Sequence, residues 1–217
     1  MLILPYDPDA ERLATEGAVE QLNAQRSVDV GNGTIHFGSR VIPTAHATAL
    51  VTQFDDDMPW QRYVAIHRNG AVELGLGGQY RPRTDSNEVS IKLVRLVTAT
   101  SFTWATLELA RRIGPEVNDL PHQLTVALPD TAGALLSNLA TGYEEPGSRY
   151  NRMPGCPDDH LLWHIELERL PADSDEANAV ALSVASRITN AWGTSQTFYL
   201  DRDGDAAGQL NVRRARQ

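Results

Sequence analysis

The chain has 217 residues, 28 acidic against 19 basic side chains and a formal net charge of −9, with 41% apolar and 22% charged residues. These are ordinary globular proportions; a chain of this size buries roughly 70% of its unfolded surface, which excludes a disordered polymer and removes any need for covalent staples. The acidic balance excludes nucleic-acid binding by this chain alone, because such affinity is drawn from Lys and Arg neutralising phosphates.

A single domain over residues 1–217 is expected, since no linker or internal repeat divides the chain. The lone Cys156 leaves no internal disulfide framework and points to a reducing, cytoplasmic setting. Residues 1–7 lack the basic and long apolar regions of a signal peptide. The longest apolar stretch, residues 91–113, is interrupted by Lys92, Arg95, Glu108, Arg111 and Arg112. Those charges are costly at a bilayer centre, so the stretch reads as a water-soluble helix and no membrane partner is expected.

In chain order, the first element reads as a helix capped by Asp7, with Pro8 at its first position, Glu11 in its first turn and an apolar stripe of Leu13, Val19 and Leu22 reaching about Arg26. Residues 27–30 and 34–37 flank Gly31-Asn32-Gly33 and predict a hairpin. Residues 41–54 are rich in β-branched side chains, and Pro43 marks that strand as an edge or a bulge. Residues 62–67 and 71–76 alternate around Arg68-Asn69-Gly70, the clearest hairpin of the chain. Gly75, Gly77 and Gly78 lead into a flexible segment to Asn87.

The longest helix is expected over 88–113, punctuated by Gly114-Pro115. Its apolar residues cover more than one face, so it should be buried by the sheet, with Lys92, Arg95, Glu108, Arg111 and Arg112 marking a wet side. A strand over 124–128, a short helix over 131–139, a long Gly- and Pro-rich loop over 141–159 and a helix over 175–192 follow. Residues 197–200 and 209–212 would close a last hairpin before a frayed tail, 213–217, that carries Arg213, Arg214 and Arg216. The fold class is α+β: an antiparallel, meander-like sheet packed against two or three helices.

Cys156, His160, His164 and Glu168 recur every four residues. On a helix they would line one face and could grip zinc. The competing reading is a strand, because Leu161, Trp163, Ile165 and Leu167 alternate with Leu162, His164, Glu166 and Glu168. Residues four apart on a strand lie roughly 13 Å from each other, too far to share a metal, and the strand is the reading preferred. Cys156 with His160 or His164 is also the one pairing with a thiol for nucleophilic catalysis, provided a nearby cation or helix N-terminus lowers the thiol pKa.

Asp201-x-Asp203-Gly204-Asp205 opens like a calcium loop, but Ala206 and Val212 stand where such a loop needs Gly and a bidentate Glu. Asp55-Asp56-Asp57 reads as a solvated loop, and Gly75-x-Gly77-Gly78 lacks the strand-to-helix setting of a dinucleotide site. No cofactor is implied.

The run Arg62-Tyr63-Val64-Ala65-Ile66-His67-Arg68-Asn69-Gly70-Ala71-Val72-Glu73, followed by a long helix and the strand 124–128, resembles the C-terminal region of bacterial proteins that bear an AlbA-type (Schlafen-like) DNA-binding domain. The resemblance covers about residues 60–130. It implies an accessory or sensory domain in bacterial regulation or defence, with the DNA-binding domain upstream, and transfers no catalytic residue.

Absence of a convergent polar constellation, an acidic surface and four tryptophans available as anchors (Trp60, Trp104, Trp163 and Trp192) lead to a first expectation. It is a non-enzymatic interaction or regulatory domain acting through a protein partner or as a homo-oligomer. The alternative use of the four tryptophans is simply as core. The alternative function is a small-ligand-binding protein, or a metal- or cysteine-dependent enzyme, using residues 141–168.

Overall fold

A computed structural model describes residues 1–5, 13–52, 62–76, 83–84, 90–114, 118–137 and 155–193. In chain order the elements are β1 (Leu2–Pro5), α1 (Thr15–Ala24), β2 (Ser27–Val30), β3 (Gly33–His36), β4 (Arg40–Pro43), β5 (Ala47–Thr52), β6 (Arg62–His67) and β7 (Val72–Leu76). They continue with β8 (Arg83–Thr84), β9 (Ser90–Ile91), β10 (Leu93–Arg95), α2 (Leu96–Ile113), β11 (His122–Leu128), β12 (Leu135–Ser137), β13 (Leu161–Leu167) and α3 (Ser174–Ala191). The result is an α+β fold, a seven-stranded antiparallel sheet of order β13-β11-β1-β7-β6-β5-β4 packed against helices.

Period-two patterning sets the inner face of this sheet. Leu50, Val64 and Leu74 are cross-strand neighbours, as are Ile66, Val72, Ile3, Leu124 and Ile165 in turn across five strands. This row meets α1, α2 and the separate β2–β3 hairpin, whose Val28, Val30, Ile35 and Phe37 join the same buried cluster.

The α2 helix sits at the centre. Fourteen of its 18 residues are buried, so it is enclosed on nearly all sides rather than along one stripe. Burying its hydroxyls is tolerable because each finds a carbonyl one turn back: Thr100 to Leu96, Ser101 to Val97, Thr103 to Ala99 and Thr106 to Phe102, at 2.7–2.8 Å. Trp104 and Trp192 are core side chains, and the Trp192 indole donates to the Ala134 carbonyl at 2.7 Å.

Both expected Asn-Gly hairpins form, with the left-handed residues at Gly31 (φ 52°) and Gly70 (φ 83°). Pro43 ends β4, which lies at one edge of the sheet as its missing N–H requires. The α3 helix starts from Asp173, whose carboxylate accepts the Glu176 N–H at 2.9 Å, while the Glu176 carboxylate accepts the Ala172 N–H. Gly193 (φ 64°) follows its end.

Four expectations are corrected. The first element is not the expected helix but a strand over residues 2–5, which find partners on both sides in β7 and β11, and α1 begins only at Thr15, after Ala14 at its N-cap. The helix expected over 88–113 begins only at Leu96, since residues 93–95 pair in parallel with residues 135–137 of β12. The helix expected over 131–139 does not form: Asp130 (φ 55°) and Gly133 (φ 72°) take left-handed conformations, and the chain then enters β12. Glu108, assigned to the wet side of α2, is buried; its Oε2 accepts Arg111 Nη2 at 2.6 Å, with Arg112 Nη2 at 3.8 Å.

The Asp7-Pro8 helix start, Asp55–Asp57, Trp60, Gly77-Gly78, most of the 141–159 loop, the calcium-like run from Asp201 and the last hairpin and tail lie outside the described residues. Among the described residues no helix is long and apolar enough to cross a membrane.

Arg111 also donates to the Ala172 carbonyl at 3.3 Å, tying α2 to the entry of α3. Arg111→Ala strands the buried Glu108 carboxylate, and urea denaturation should show a loss of about 3 kcal/mol. A loss under about 0.5 kcal/mol would mean that Arg112 alone compensates the charge.

Candidate functional site

Residues 161–167 form the strand that period two indicates, paired with β11 along all seven positions from Leu128↔Leu161 to His122↔Leu167. Leu161, Trp163, Ile165 and Leu167 face the helices, and Leu162, His164 and Glu166 point to the other side and are exposed. His164 shares a 3.0 Å hydrogen bond with the hydroxyl of its cross-strand partner Thr125.

The other residues of the four-residue recurrence are elsewhere in character. Cys156 is 3% exposed, and its backbone is clasped on both sides: its N–H donates to Ala134 and its carbonyl accepts from Gly133, both at 2.9 Å. Gly155 beside it lies so close to the Gly133 backbone that a Cβ would sit 3.0 Å away. Thr131 completes the clasp through its N–H to the Asp159 carbonyl and its hydroxyl to the Asp158 carbonyl, both at 2.7 Å. His160 is 72% exposed and bonds Asp159 at 2.9 Å. Glu168 is exposed just beyond β13. The structure therefore does not draw Cys156, His160, His164 and Glu168 together, and among the described residues no three His, Cys, Asp or Glu side chains form a metal-holding group.

A polar cluster that the residue-by-residue reading passed over sits on the outer face of the β6–β7 hairpin. Glu73 stands directly opposite Ala65, whose small side chain leaves room on both diagonals. Tyr63 reaches in from one side, its hydroxyl donating to Glu73 Oε1 at 2.5 Å, and His67 Nε2 lies 2.9 Å from Glu73 Oε2 on the other. The Tyr63 ring covers Gly75, where any Cβ would collide with it. Ala49, Val51 and Ala65 form a second buried cluster next to this hairpin.

The electrostatics follow from that geometry. Burial alone would raise the Glu73 carboxyl, but hydrogen bonds from Tyr63 and His67 outweigh it and hold the group below its ordinary value. Burial, followed by the hydrogen bond and charge of Glu73, pushes the Tyr63 phenol up to about 12. The cluster pins the hairpin register. The only sequence signal for it was the hairpin register set by Asn69-Gly70, which puts position 73 between positions 63 and 67.

No protein-family model, no curated protein and no solved structure matches this chain. The site must therefore be read from its own geometry.

That geometry is most distinctive at the sheet edges. The β4 edge is four residues long, opens on Arg40 and is blunted by Pro43. The β13 edge is seven residues long, carries neither Lys nor Pro and holds Leu162 at 58% exposure. Among the described residues β11 is its one neighbour in the sheet, so its outer row of backbone groups faces away from the sheet.

Two outcomes are expected. Neutral Tyr63 stabilises the fold fully below pH 10, and this contribution disappears as pH rises through about 12; Glu73 contributes above the unfolded carboxylate value and is lost as pH falls through its lower folded one. Alkaline spectrophotometric titration should show a tyrosine step near pH 12 that is missing from Tyr63→Phe, and persistence of that step in the variant would assign it elsewhere. A thiol-specific disulfide reagent should modify Cys156 only as fast as the protein unfolds; immediate modification of the native protein would show the clasp to be open.

Proposed function

We propose that this chain is a non-enzymatic interaction domain that self-associates through the β13 edge. The observation that carries the reading is the asymmetry of the sheet: one edge is short and blunted by Pro43 in the manner of natural edge protection, and the other is seven residues long, without Lys or Pro and without a second strand neighbour among the described residues. Strand addition at such an edge draws affinity from main-chain hydrogen bonds and specificity from alternate side chains.

A second copy is the occupant that the sequence of β13 fits. Antiparallel pairing of two β13 strands about a two-fold axis at His164 sets Leu161 against Leu167 and Trp163 against Ile165 of the other copy, apolar on apolar. On the outer face it sets Leu162 against Glu166 and His164 against its symmetry mate. Trp163, half-buried in the isolated chain, then takes the anchoring place at the centre of the interface. Trp104 and Trp192, being core, take no part.

Such a dimer suits a regulatory subunit of a bacterial assembly, and the resemblance of residues 60–130 to the accessory region of AlbA-type proteins is the reason for placing it in regulation or defence. A cytoplasmic setting is part of the same proposal, supported by the single cysteine.

Substitution at Leu162 tests the register, because that side chain is exposed and its loss does not touch the core. Leu162→Glu sets Glu against Glu166 twice per dimer and should weaken association about tenfold or more in sedimentation velocity. Leu162→Lys sets opposite charges in the same two places and should keep the dimer. A wild-type chain that stays monomeric throughout the micromolar range, or equal loss with both substitutions, would overturn the proposal.

A further inference from the structure

A partly open cavity of about 130 Å³ lies between the sheet and the two long helices, against the β11 strand that pairs with β13. Its walls are Leu74 and Leu76 of β7, Val126 and Leu128 of β11, and Val184 and Ile188 of α3. Small residues on α2, Ala99 and Thr103, leave the space open, and no residue of β13 lines it. The Thr103 hydroxyl spends its hydrogen on the Ala99 carbonyl at 2.8 Å, so it offers no free donor to the interior.

Besides the Met1 ammonium, which donates to the Leu74 carbonyl at 2.8 Å, one charged group lines the cavity, Arg95 at the start of α2. Among the described residues no carboxylate pairs with it and no hydrogen bond occupies its guanidinium. An apolar cavity of about 150 Å³ in another protein accepts benzene, so a cleft of this volume has room for one ring. A guanidinium presents a planar fork that matches a carboxylate in two parallel hydrogen bonds. A mostly apolar cleft of one-ring size, with a guanidinium in its wall that is unpaired among the described residues, has the form of a ligand site: apolar walls, and few polar groups that fix orientation.

We propose that this cavity binds a small aromatic carboxylic acid, with the ring among Leu74, Val126, Val184 and Ile188 and the carboxylate on Arg95. No residue of β13 lines the site, which joins the two layers of the fold, since its walls come from the sheet and from both α2 and α3. A bound acid would therefore tighten the packing of helices on sheet.

Benzoate and benzyl alcohol are the probes, titrated calorimetrically into the full chain and into Arg95→Gln and Ala99→Leu. Benzoate should bind saturably at one site per chain, and Arg95→Gln should weaken it about tenfold while leaving benzyl alcohol unchanged. Ala99→Leu should fill the void and abolish both, with its thermal unfolding at or above that of the wild type showing that it is folded. No saturable binding of benzoate to the wild type, or equal benzoate affinity in Arg95→Gln, would overturn the proposal. Neither result depends on whether β13 mediates a dimer, because every variant here leaves that strand intact.

Discussion

Burial of α2 on nearly every side is the constraint on which the other elements depend. A helix with fourteen of 18 residues buried cannot rest on one sheet face; it has to be surrounded. The sheet supplies one wall, α3 another and the β2–β3 hairpin a third, with Phe37 and Val28 packed into the same cluster. The threonines and serine of the helix would be costly there but for their bonds to carbonyls one turn back. Glu108 is the exception: its charge is met one turn on in the same helix by Arg111, which in turn reaches the carbonyl of Ala172 at the entry to α3.

The parallel pair β10–β12 and the clasp of Cys156 serve the same enclosure. Residues 93–95 lead straight into α2, and pairing them with residues 135–137 anchors that entry. Ala134 then binds at once the Cys156 N–H and the Trp192 indole, so the end of α3, the 131–137 turn and the 155–159 segment close over one side of the core. A thiol held in this way is a packing element. The same clasp leads directly into β13 and sets where that strand leaves the core as the last strand of the sheet.

The two functional proposals use different consequences of one architecture. An edge strand results because the sheet has to end somewhere, and here the end without a proline or a lysine is β13. A cavity results because small residues on α2 meet branched residues of α3 and the sheet across a space they do not fill. The Tyr63–Glu73–His67 cluster belongs to neither: it holds the central hairpin in register and keeps Glu73 charged on a face that is otherwise partly apolar.

What the sequence by itself determined is the part governed by local rules. Period two across residues 161–167 favoured a strand over a zinc-binding helix, Asn69-Gly70 set a hairpin, Pro43 marked an edge and Gly114 marked the end of a long helix; each follows from backbone geometry that a few neighbouring residues impose. Only the tertiary structure decided that residues 2–5 and 93–95 are strands, because their hydrogen-bond partners lie between about 40 and 120 residues away and no local propensity encodes them. It also decided which charge is buried, which tryptophans are core and which strand is left at the edge. Glu108 looks like any other helix-surface acid until Arg111 and the enclosing α3 are in place, and Arg95 looks like any other charged residue until the wall of a cavity forms beside it. Burial and strand order are properties of the whole packed chain, so they enter only when distant segments meet.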